Sequence, residues 1–241
     1  AHAVRTADCS AQGGSARFSC TVHGALNGTV SAPVSKSDLH RLIIACALSC
    51  GESLIHRYTL SQDIQATANV IGALGASVRF ENDCTIVDGI FPSTESAQSE
   101  ILCDCNESGS TLRFMLPVAC ALGADATFVG AGRLGQRPLA PLSDELMAAG
   151  CTLEGMGGFP LRETGRMRPG RFELPGNVSS QYISGLLLAA PLLDGDTQVA
   201  VTGTLESRPY VDLTIDVLSS FGVNVSIEEG ATPGGLPLTV F

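Results

Sequence analysis

The sequence has almost no lysine and no tryptophan. Lys36 is the single lysine among 241 residues, so every other basic residue is an arginine, and 24 acidic residues outnumber the 14 basic ones. The resulting net charge of −10 argues against a general surface for binding nucleic acids or anionic membranes. We therefore expect neither nucleic acid nor a membrane as a partner, and an anionic ligand would need a local cluster of basic groups.

Long apolar runs are missing as well. The longest, such as "LIIACALSC" and "GLLLAAPLL", are too short to span a bilayer, and residues 1–18 lack the apolar segment of a signal peptide. Nine cysteines are present without a disulfide framework or metal-finger spacing, and several, such as Cys46, Cys50 and Cys120, lie in apolar runs. We expect free thiols that act as small apolar residues, no metal site, and a reducing, cytoplasmic setting.

A repeat of about 72 residues organises the chain. The apolar run "RLIIACALSCG" (41–51) recurs as "RFMLPVACALG" (113–123) and, more distantly, as "GLLLAAPLLDG" (185–195). Each run leads into a β-like stretch and then into a second helix pattern that ends at a glycine. The repeat predicts an α/β (α+β) domain over residues 26–241 with units at about 26–100, 101–170 and 171–241. Residues 1–25 are expected to be a loosely held lead segment.

Short polar sequences precede the predicted helices. They are "SKS" (35–37), "ESGST" (107–111) and "SSQ" (179–181) before the first helices, and "LSQD" (60–63), "LGQRP" (134–138) and "LESRP" (205–209) before the second ones. By the symmetry of the repeats these helix N-termini should lie at one end of the domain, where their unpaired N–H groups suit an anion. Five basic residues add full charge to this end: Lys36, Arg41, Arg113, Arg137 and Arg208.

Each of these residues also has a purely structural interpretation. Ser37 or Ser179 can be an ordinary N-cap, Gly109 a turn residue, and Arg137-Pro138 a helix start. Asp63 can cap its helix or balance a neighbouring basic group. Because the positions match in three repeats, an anion site is the stronger hypothesis.

The motifs resemble those of the 5-enolpyruvylshikimate-3-phosphate (EPSP) synthase family. The resemblance rests on "SKSDLHR", "ESGSTLR", "QRPLAPL", "NVSSQYISGLLLAAPLL" and "SRPYVD", in the family's order. It implies transfer of the enolpyruvyl group of phosphoenolpyruvate to the 5-hydroxyl of shikimate 3-phosphate, in aromatic amino acid biosynthesis, without a metal or organic cofactor. It also implies an inside-out α/β barrel fold, in which each of two domains contains three βαβαββ units.

The resemblance assigns roles to individual residues. Shikimate 3-phosphate would be bound by Lys36, Ser37, Arg41, Ser179, Ser180, Gln181, Ser207 and Tyr210. Phosphoenolpyruvate would be bound by Lys36, Gly109, Arg137 and Gln181. Among the departures from the family pattern, His40 replaces a small polar residue, Glu107 an asparagine and Phe114 a proline.

The length of the chain implies half of such an enzyme. Each of the family's two domains contains three units, and this chain contains three units in total. We therefore interpret the chain as the N-terminal half of the enzyme, with the C-terminal half as its partner in a monomer. No catalytic residue is then expected in this chain, which should be inactive alone. The alternatives are a UDP-N-acetylglucosamine enolpyruvyl transferase, whose usual loop cysteine is absent from "GAGRLGQR" (130–137), and a non-catalytic module that binds a phosphate ligand.

Overall fold

The computed structural model describes residues 28–29, 32–56, 58–90 and 101–241. All helices and strands in these ranges belong to one compact unit, residues 34–241. Among the described residues, no helix combines the length and the apolar character that a membrane span requires. The predicted lead segment, residues 1–25, lies outside the described residues.

Helices and strands alternate along the chain. The α-helices of the described residues are α1 (Lys36–Leu48), α2 (Gln62–Ala73), α3 (Gly109–Leu122), α4 (Leu142–Ala148), α5 (Ser180–Ala189) and α6 (Arg208–Ser220). The strands are β1 (Glu52–His56), β2 (Ser77–Glu81), β3 (Cys84–Asp88), β4 (Ile101–Asp104), β5 (Ala126–Val129), β6 (Cys151–Glu154), β7 (Leu161–Gly165), β8 (Arg171–Pro175), β9 (Gln198–Thr202), β10 (Glu228–Ala231) and β11 (Pro237–Val240). Short 3-10 turns lie at Leu134–Gln136 and Ala190–Leu192.

The strands form three sheets, one in each repeat. The order is β4-β5-β7-β6 in the second repeat and β8-β9-β11-β10 in the third. In both sheets the first two strands are parallel, because a helix connects them, and the last two form an antiparallel hairpin. The described strands of the first repeat have the matching order β1-β3-β2. The predicted α/β fold of three similar units is confirmed.

Five helices pack in a closed ring. In this ring α1 contacts α2, α2 contacts α3, α3 contacts α5, α5 contacts α6, and α6 contacts α1. The first helix of each repeat is largely buried, which explains why its sequence is apolar on almost all sides. The sixth α-helix of the described residues, the short α4, packs on β6 and β8 and is not part of the ring. As a result, α3 and α5 contact each other directly.

Serine hydroxyl groups cap the first helix of each repeat. Ser35, Ser108 and Ser179 each accept a hydrogen bond from a backbone amide two or three residues later. A strict 72-residue register aligns Glu107, rather than Ser108, with the other two serines. The start of α3, the first helix of the second repeat, is therefore displaced by one residue from the register that the sequence predicts.

Arg137-Pro138 does not begin a helix. The chain makes a 3-10 turn over Leu134–Gln136, and α4 begins only at Leu142. Arg137 has an extended backbone, with φ −79° and ψ 131°, since a residue that precedes proline avoids the helical region. The interpretation of this pair as a helix start is wrong, and Arg137 lies in an irregular segment.

Gly185 is a point of very close approach between α5 and α3. A Cβ atom at this position would overlap the backbone carbonyl oxygen of Arg113 and lie 3.2 Å from the ring of Pro117. Because a backbone atom cannot move aside as a flexible side chain can, we expect Gly185→Ala to lower the free energy of unfolding by about 1–3 kcal/mol. Urea denaturation measures this change.

Gly72 in α2 provides the matched control. It is exposed, and a Cβ atom there would meet no atom within 4 Å. Gly72→Ala should raise the free energy of unfolding by about 0.5–1 kcal/mol, because alanine loses less conformational entropy in a helix. If the two variants shifted stability in the same direction, the account of the α3–α5 contact would be wrong.

Candidate anion-binding site

The starts of several helices line one polar cavity of ≈ 410 Å³. The first turns of α1, α3 and α5 contribute to it, together with the start of α6. Its wall is formed by Lys36, Ser37, His40, Arg41, Ser110, Phe114, Val178, Ser179, Ser180, Gln181, Ser207 and Tyr210. All eight residues that were expected to bind shikimate 3-phosphate lie in this wall, and a volume of this size suits a small metabolite.

Arg41 is a buried cation in the wall of the cavity. Its guanidinium group donates hydrogen bonds to Thr214 Oγ1 (2.6 Å), Ser184 Oγ (3.0 Å) and the carbonyl oxygens of Ser37 (2.6 Å) and Tyr210 (2.8 Å). No carboxylate of the described residues lies within ion-pair distance of it. Burial lowers the pKa of Arg41 to about 10, so the group remains charged at neutral pH.

Lys36 brings a second positive charge to the same cavity. It is the first residue of α1, and its side chain is 53% exposed. Its Nζ donates a hydrogen bond of 2.6 Å to the carboxylate of Asp63 in the first turn of α2. Asp63 therefore balances Lys36, as one of the sequence interpretations proposed, and it holds the ammonium group at the rim.

Gln181 links the starts of α3 and α5. Its Oε1 accepts a hydrogen bond of 2.7 Å from Arg113 Nη1, and its Nε2 donates one of 2.9 Å to Ser110 Oγ. The Arg113 guanidinium lies 5.4 Å from the ring centroid of Tyr182, at a cation–π distance. The amide of Gln181 is thereby fixed between two repeats.

Several hydroxyl groups in the cavity wall have no hydrogen-bond partner in the part of the chain that the structure describes. Ser37, Ser180, Ser207 and Tyr210 line the cavity, and their side-chain oxygens make no hydrogen bond with the described residues. Ser207 also has a left-handed backbone, with φ 57°, which is unusual for a residue with a side chain. Strained residues of this kind are enriched at functional sites. These hydroxyl groups are available to a ligand.

Gly109 and Arg137 lie beside the cavity rather than in its wall. A Cβ atom at Gly109 would come within 2.8 Å of Arg137 Nη1, so the absence of a side chain lets this guanidinium lie against the start of α3. Arg137 is exposed, has no hydrogen-bond partner among the described residues, and lines an adjacent cavity of ≈ 230 Å³. Gly109 directly precedes Ser110, and a Cβ atom there would also lie 3.5 Å from Arg113 Nη1, the group that bonds Gln181.

Arg208 does not join this cluster. Its guanidinium pairs with Glu229 at 2.8 Å and with Asp212 at 3.5 Å. The expectation that it adds charge to the anion site is wrong, because two carboxylates from the same repeat neutralise it.

Four residues of the cavity wall were not assigned a site role from the sequence: His40, Ser110, Phe114 and Val178. Two of them follow a simple helical rule. His40 comes one turn after Lys36, and Phe114 comes one turn after Ser110, so each lies on the helix face of a site residue. This spacing could have identified His40 from the sequence, whereas Phe114 is found this way only once Ser110 is known to line the cavity.

His40 and Phe114 support the buried guanidinium. The ring of Phe114 lies 4.9 Å from the Cζ atom of Arg41 and makes an edge contact with the imidazole. His40 Nδ1 is 2.7 Å from Thr67 Oγ1, whereas its Nε2 is buried and has no hydrogen-bond partner among the described residues. Burial, together with the charges of Lys36 and Arg41, lowers the pKa of His40 to about 4. The imidazole is therefore neutral in the folded chain.

The low pKa of His40 makes folding stability depend on pH. Between the ordinary value of 6.5 and about 4, the unfolded chain binds a proton at His40 and the folded chain does not. Stability from this residue is complete above 6.5 and falls with decreasing pH, by at most about 1.4 kcal/mol per pH unit. Other groups also titrate in this range, so the measured quantity is the difference in free energy of unfolding between His40→Gln and wild type in urea, which should shift in favour of the variant as the pH falls from 6.5 to about 4.

A control variant separates this effect from other titrating groups. His56 is exposed on β1, and His56→Gln should retain the pH dependence of the wild type. Identical pH profiles for wild type and His40→Gln would contradict a neutral, buried imidazole.

The chain is similar to proteins of one family. Residues 21–233 match the family model of EPSP synthase (3-phosphoshikimate 1-carboxyvinyltransferase). The 3-phosphoshikimate 1-carboxyvinyltransferase of Clostridium botulinum (strain Alaska E43 / Type E3) is 40% identical over 207 residues, 84% of this chain and 47% of that protein. The enzyme of Clostridium perfringens (strain SM101 / Type A) is 40% identical over 204 residues, 83% of this chain and 47% of that protein.

A solved structure agrees with the sequence relatives. The EPSP synthase from Acinetobacter baumannii superimposes with a TM-score of 0.68 at 23% identity, over 88% of this chain and 46% of that one. This likeness shows the fold. The chain spans about half the length of the curated relatives it matches. Since the family model covers most of its residues, the chain belongs to the EPSP synthase family.

Proposed function

We propose that this chain is the shikimate-3-phosphate-binding half of a 3-phosphoshikimate 1-carboxyvinyltransferase. The enzyme transfers the enolpyruvyl group of phosphoenolpyruvate to the 5-hydroxyl of shikimate 3-phosphate and releases phosphate. The charge balance of the cavity carries the proposal. Arg41 is a buried cation with only neutral acceptors, and no carboxylate lines the cavity among the described residues. A bound anion would supply the missing negative charge.

Three serines suit the phosphate group of shikimate 3-phosphate. Ser179 and Ser180 stand at the start of α5, where backbone N–H groups and the helix dipole favour an anion. Ser207 stands at the start of α6, and its hydroxyl has no other partner among the described residues. Hydrogen bonds to a charged phosphate are stronger than those between neutral groups. We assign these hydroxyl groups to the phosphate.

The remaining wall residues suit the rest of the same ligand. Ser37 and Tyr210 offer unpaired hydroxyl groups, and Arg41 lies beside the backbone carbonyls of both. Lys36 and Gln181 lie at the side of the cavity nearest to α2 and α3. We assign Ser37, Arg41 and Tyr210 to shikimate 3-phosphate, and Lys36 and Gln181 to contacts with both substrates.

Phosphoenolpyruvate is assigned to the neighbouring space beside α3. Gly109 leaves room for the Arg137 guanidinium, which is free to pair with an anion because it has no partner among the described residues. Lys36, a compact point charge on a flexible stem, can be shared by two anions more easily than a planar guanidinium. This arrangement would place two anionic substrates side by side.

These residues bind, orient and stabilise charge, but proton transfer needs an acid or a base. The carboxylate nearest to Lys36 is Asp63, which is already paired with the ammonium group. We propose that the C-terminal half supplies the proton-transfer groups and completes the phosphoenolpyruvate site. The complete enzyme would be a cytoplasmic monomer whose reaction uses no cofactor.

Ligand titration tests the proposed site. Calorimetry with shikimate 3-phosphate should show saturable binding of one equivalent to the purified chain. Binding of UDP-N-acetylglucosamine in its place would favour the alternative transferase. Binding of inorganic phosphate with equal affinity would indicate a simple phosphate module.

Lys36→Ala should weaken the binding of shikimate 3-phosphate roughly ten- to a hundredfold. Hydrogen bonds to charged groups contribute about 1.5–3 kcal/mol, and about 1.4 kcal/mol corresponds to a factor of ten. Calorimetric titration of the variant measures the change. The matched control is Arg79→Ala, which also removes one positive charge but from an exposed ion pair with Asp88 on the first sheet. Equal affinities for Lys36→Ala and Arg79→Ala would contradict the assignment.

The 241-residue chain alone should release no phosphate from phosphoenolpyruvate plus shikimate 3-phosphate. A general acid or base must lie within hydrogen-bond reach of the proton that it transfers, and an open site cannot exclude water from a reactive intermediate. A phosphate-release assay on a preparation that binds shikimate 3-phosphate checks this expectation. Steady turnover by the chain alone would contradict it, whereas turnover that requires an added C-terminal half would support it.

A further inference from the structure

Three ionisable side chains meet in the buried interior of the second repeat. Cys120 lies in the last turn of α3, Cys151 is the first residue of β6, and Glu163 is in the middle of β7. One sulfur or oxygen atom of each residue lies within 4.8 Å of those of the other two. Cys120 is separated from Ser110 in the cavity wall by roughly 15 Å of helix. The three residues, which we call the thiol cluster, are therefore distinct from the anion site.

Glu163 is a carboxyl group in an unfavourable place. Its side chain is fully buried, and neither of its oxygens has a hydrogen bond of acceptable geometry with the described residues. Burial raises the pKa of Glu163 to about 7, although the amide of Ala126 and the thiol of Cys120 oppose the shift. A buried carboxylate without a partner is costly. The group must therefore hold a proton or be neutralised by a cation.

The first repeat shows that the fold does not require a thiol at the end of this helix. The amide of Met167 donates a hydrogen bond to the carbonyl oxygen of Cys120, and the amide of Ile90 donates one to that of Ala47. Ala47 in α1 and Cys120 in α3 thus occupy matching positions. A buried alanine is sufficient in the first repeat.

The same comparison applies to the carboxyl group. Leu153 pairs with Glu163 across the second hairpin, and Val78 pairs with Val87 across the first. Leu153 and Val78 are each the third residue after the glycine that ends the preceding helix. Val87 is as deeply buried as Glu163. The second repeat therefore has a thiol and a carboxyl group where the first repeat has Ala47 and Val87, a difference that packing alone does not explain.

The chemistry of the thiol cluster suits a thiophilic cation. Two thiolates and one carboxylate form a donor set that favours zinc-class metals over calcium or magnesium. The two thiols interact directly, since a hydrogen bond between them raises the pKa of Cys120 and lowers that of Cys151. The end of α3 also carries partial negative charge, and its last turn has no basic residue.

We propose that Cys120, Cys151 and Glu163 bind one zinc-class divalent cation, which ties the end of α3 to the second hairpin. Binding would displace up to three protons, two from the thiols and one from the carboxylic acid. Three protein ligands leave a fourth position for water or a backbone oxygen.

Metal titration of the reduced, metal-free chain tests the proposal. Zinc is titrated in competition with a chromophoric chelator, and cadmium is followed by the ultraviolet absorption of its bonds to thiolates. We expect one equivalent bound, an affinity that increases with pH, and a higher thermal midpoint with metal. Cys120→Ser and Glu163→Gln should each weaken zinc binding about tenfold or more, since even groups that only support ligands contribute that much.

Two cysteine variants serve as matched controls. Cys46→Ser changes a buried cysteine of α1 outside the thiol cluster, and Cys84→Ser removes the exposed contact of Cys84 with His56 at 3.5 Å. Both should bind one equivalent with wild-type affinity. Loss of binding in Cys84→Ser, with retention in Cys120→Ser, would overturn the proposal.

Thiol alkylation of the wild-type chain gives a test that does not depend on the folding of any variant. With cadmium present, mass spectrometry should show slower modification of Cys120 and Cys151, whereas the exposed Cys50 should be unaffected. Absence of metal uptake would overturn the proposal, and so would modification of Cys120 and Cys151 at equal, measurable rates with and without metal. A disulfide between Cys120 and Cys151 that persists in reducing buffer and excludes the metal would also overturn it.

Discussion

The buried guanidinium of Arg41 connects α1 with α5 and α6. Its donors reach hydroxyl groups of Ser184 and Thr214 and backbone carbonyls of Ser37 and Tyr210. Burying a cation without a counter-charge is costly, and four hydrogen bonds with contact to an aromatic ring offset part of that cost. In return, the helix starts around the cavity are held in place before any ligand arrives, which reduces the entropy that binding must overcome.

The overall negative charge of the chain makes this local positive region more distinct. Away from the cavity, Arg79 pairs with Asp88 and Arg208 pairs with Glu229. Around the cavity, Arg41 and Arg137 have no carboxylate partner among the described residues, and Lys36 forms an ion pair with one carboxylate of those residues, that of Asp63. The proposed anion site therefore lies at one end of the helix ring, where several helix dipoles add to the side-chain charges.

The helix α3 serves different purposes at its two ends. Its first turn contributes Ser110 to the cavity and accommodates the arginines beside Gly109, while its last turn places Cys120 against two strands. The polarity of the helix suits both arrangements, because its N-terminus favours anions and its C-terminus favours cations. The close contact with α5 at Gly185 fixes the position of α3, and therefore of both the cavity wall at its start and the thiol cluster at its end.

The sequence by itself determined the three repeats, the serine caps of most helices and eight of the twelve residues that line the cavity, because repeats and caps are local patterns that recur at fixed spacing. It could not show that Arg41 is buried without a carboxylate, that Glu229 neutralises Arg208, or that Arg137 precedes α4 instead of starting it. Nor could it bring Cys120 and Glu163 together, since these residues lie on a helix and a strand whose contact depends on packing across the repeat. Only the tertiary structure decided these features, because burial and charge pairing are set by the neighbours that distant segments provide.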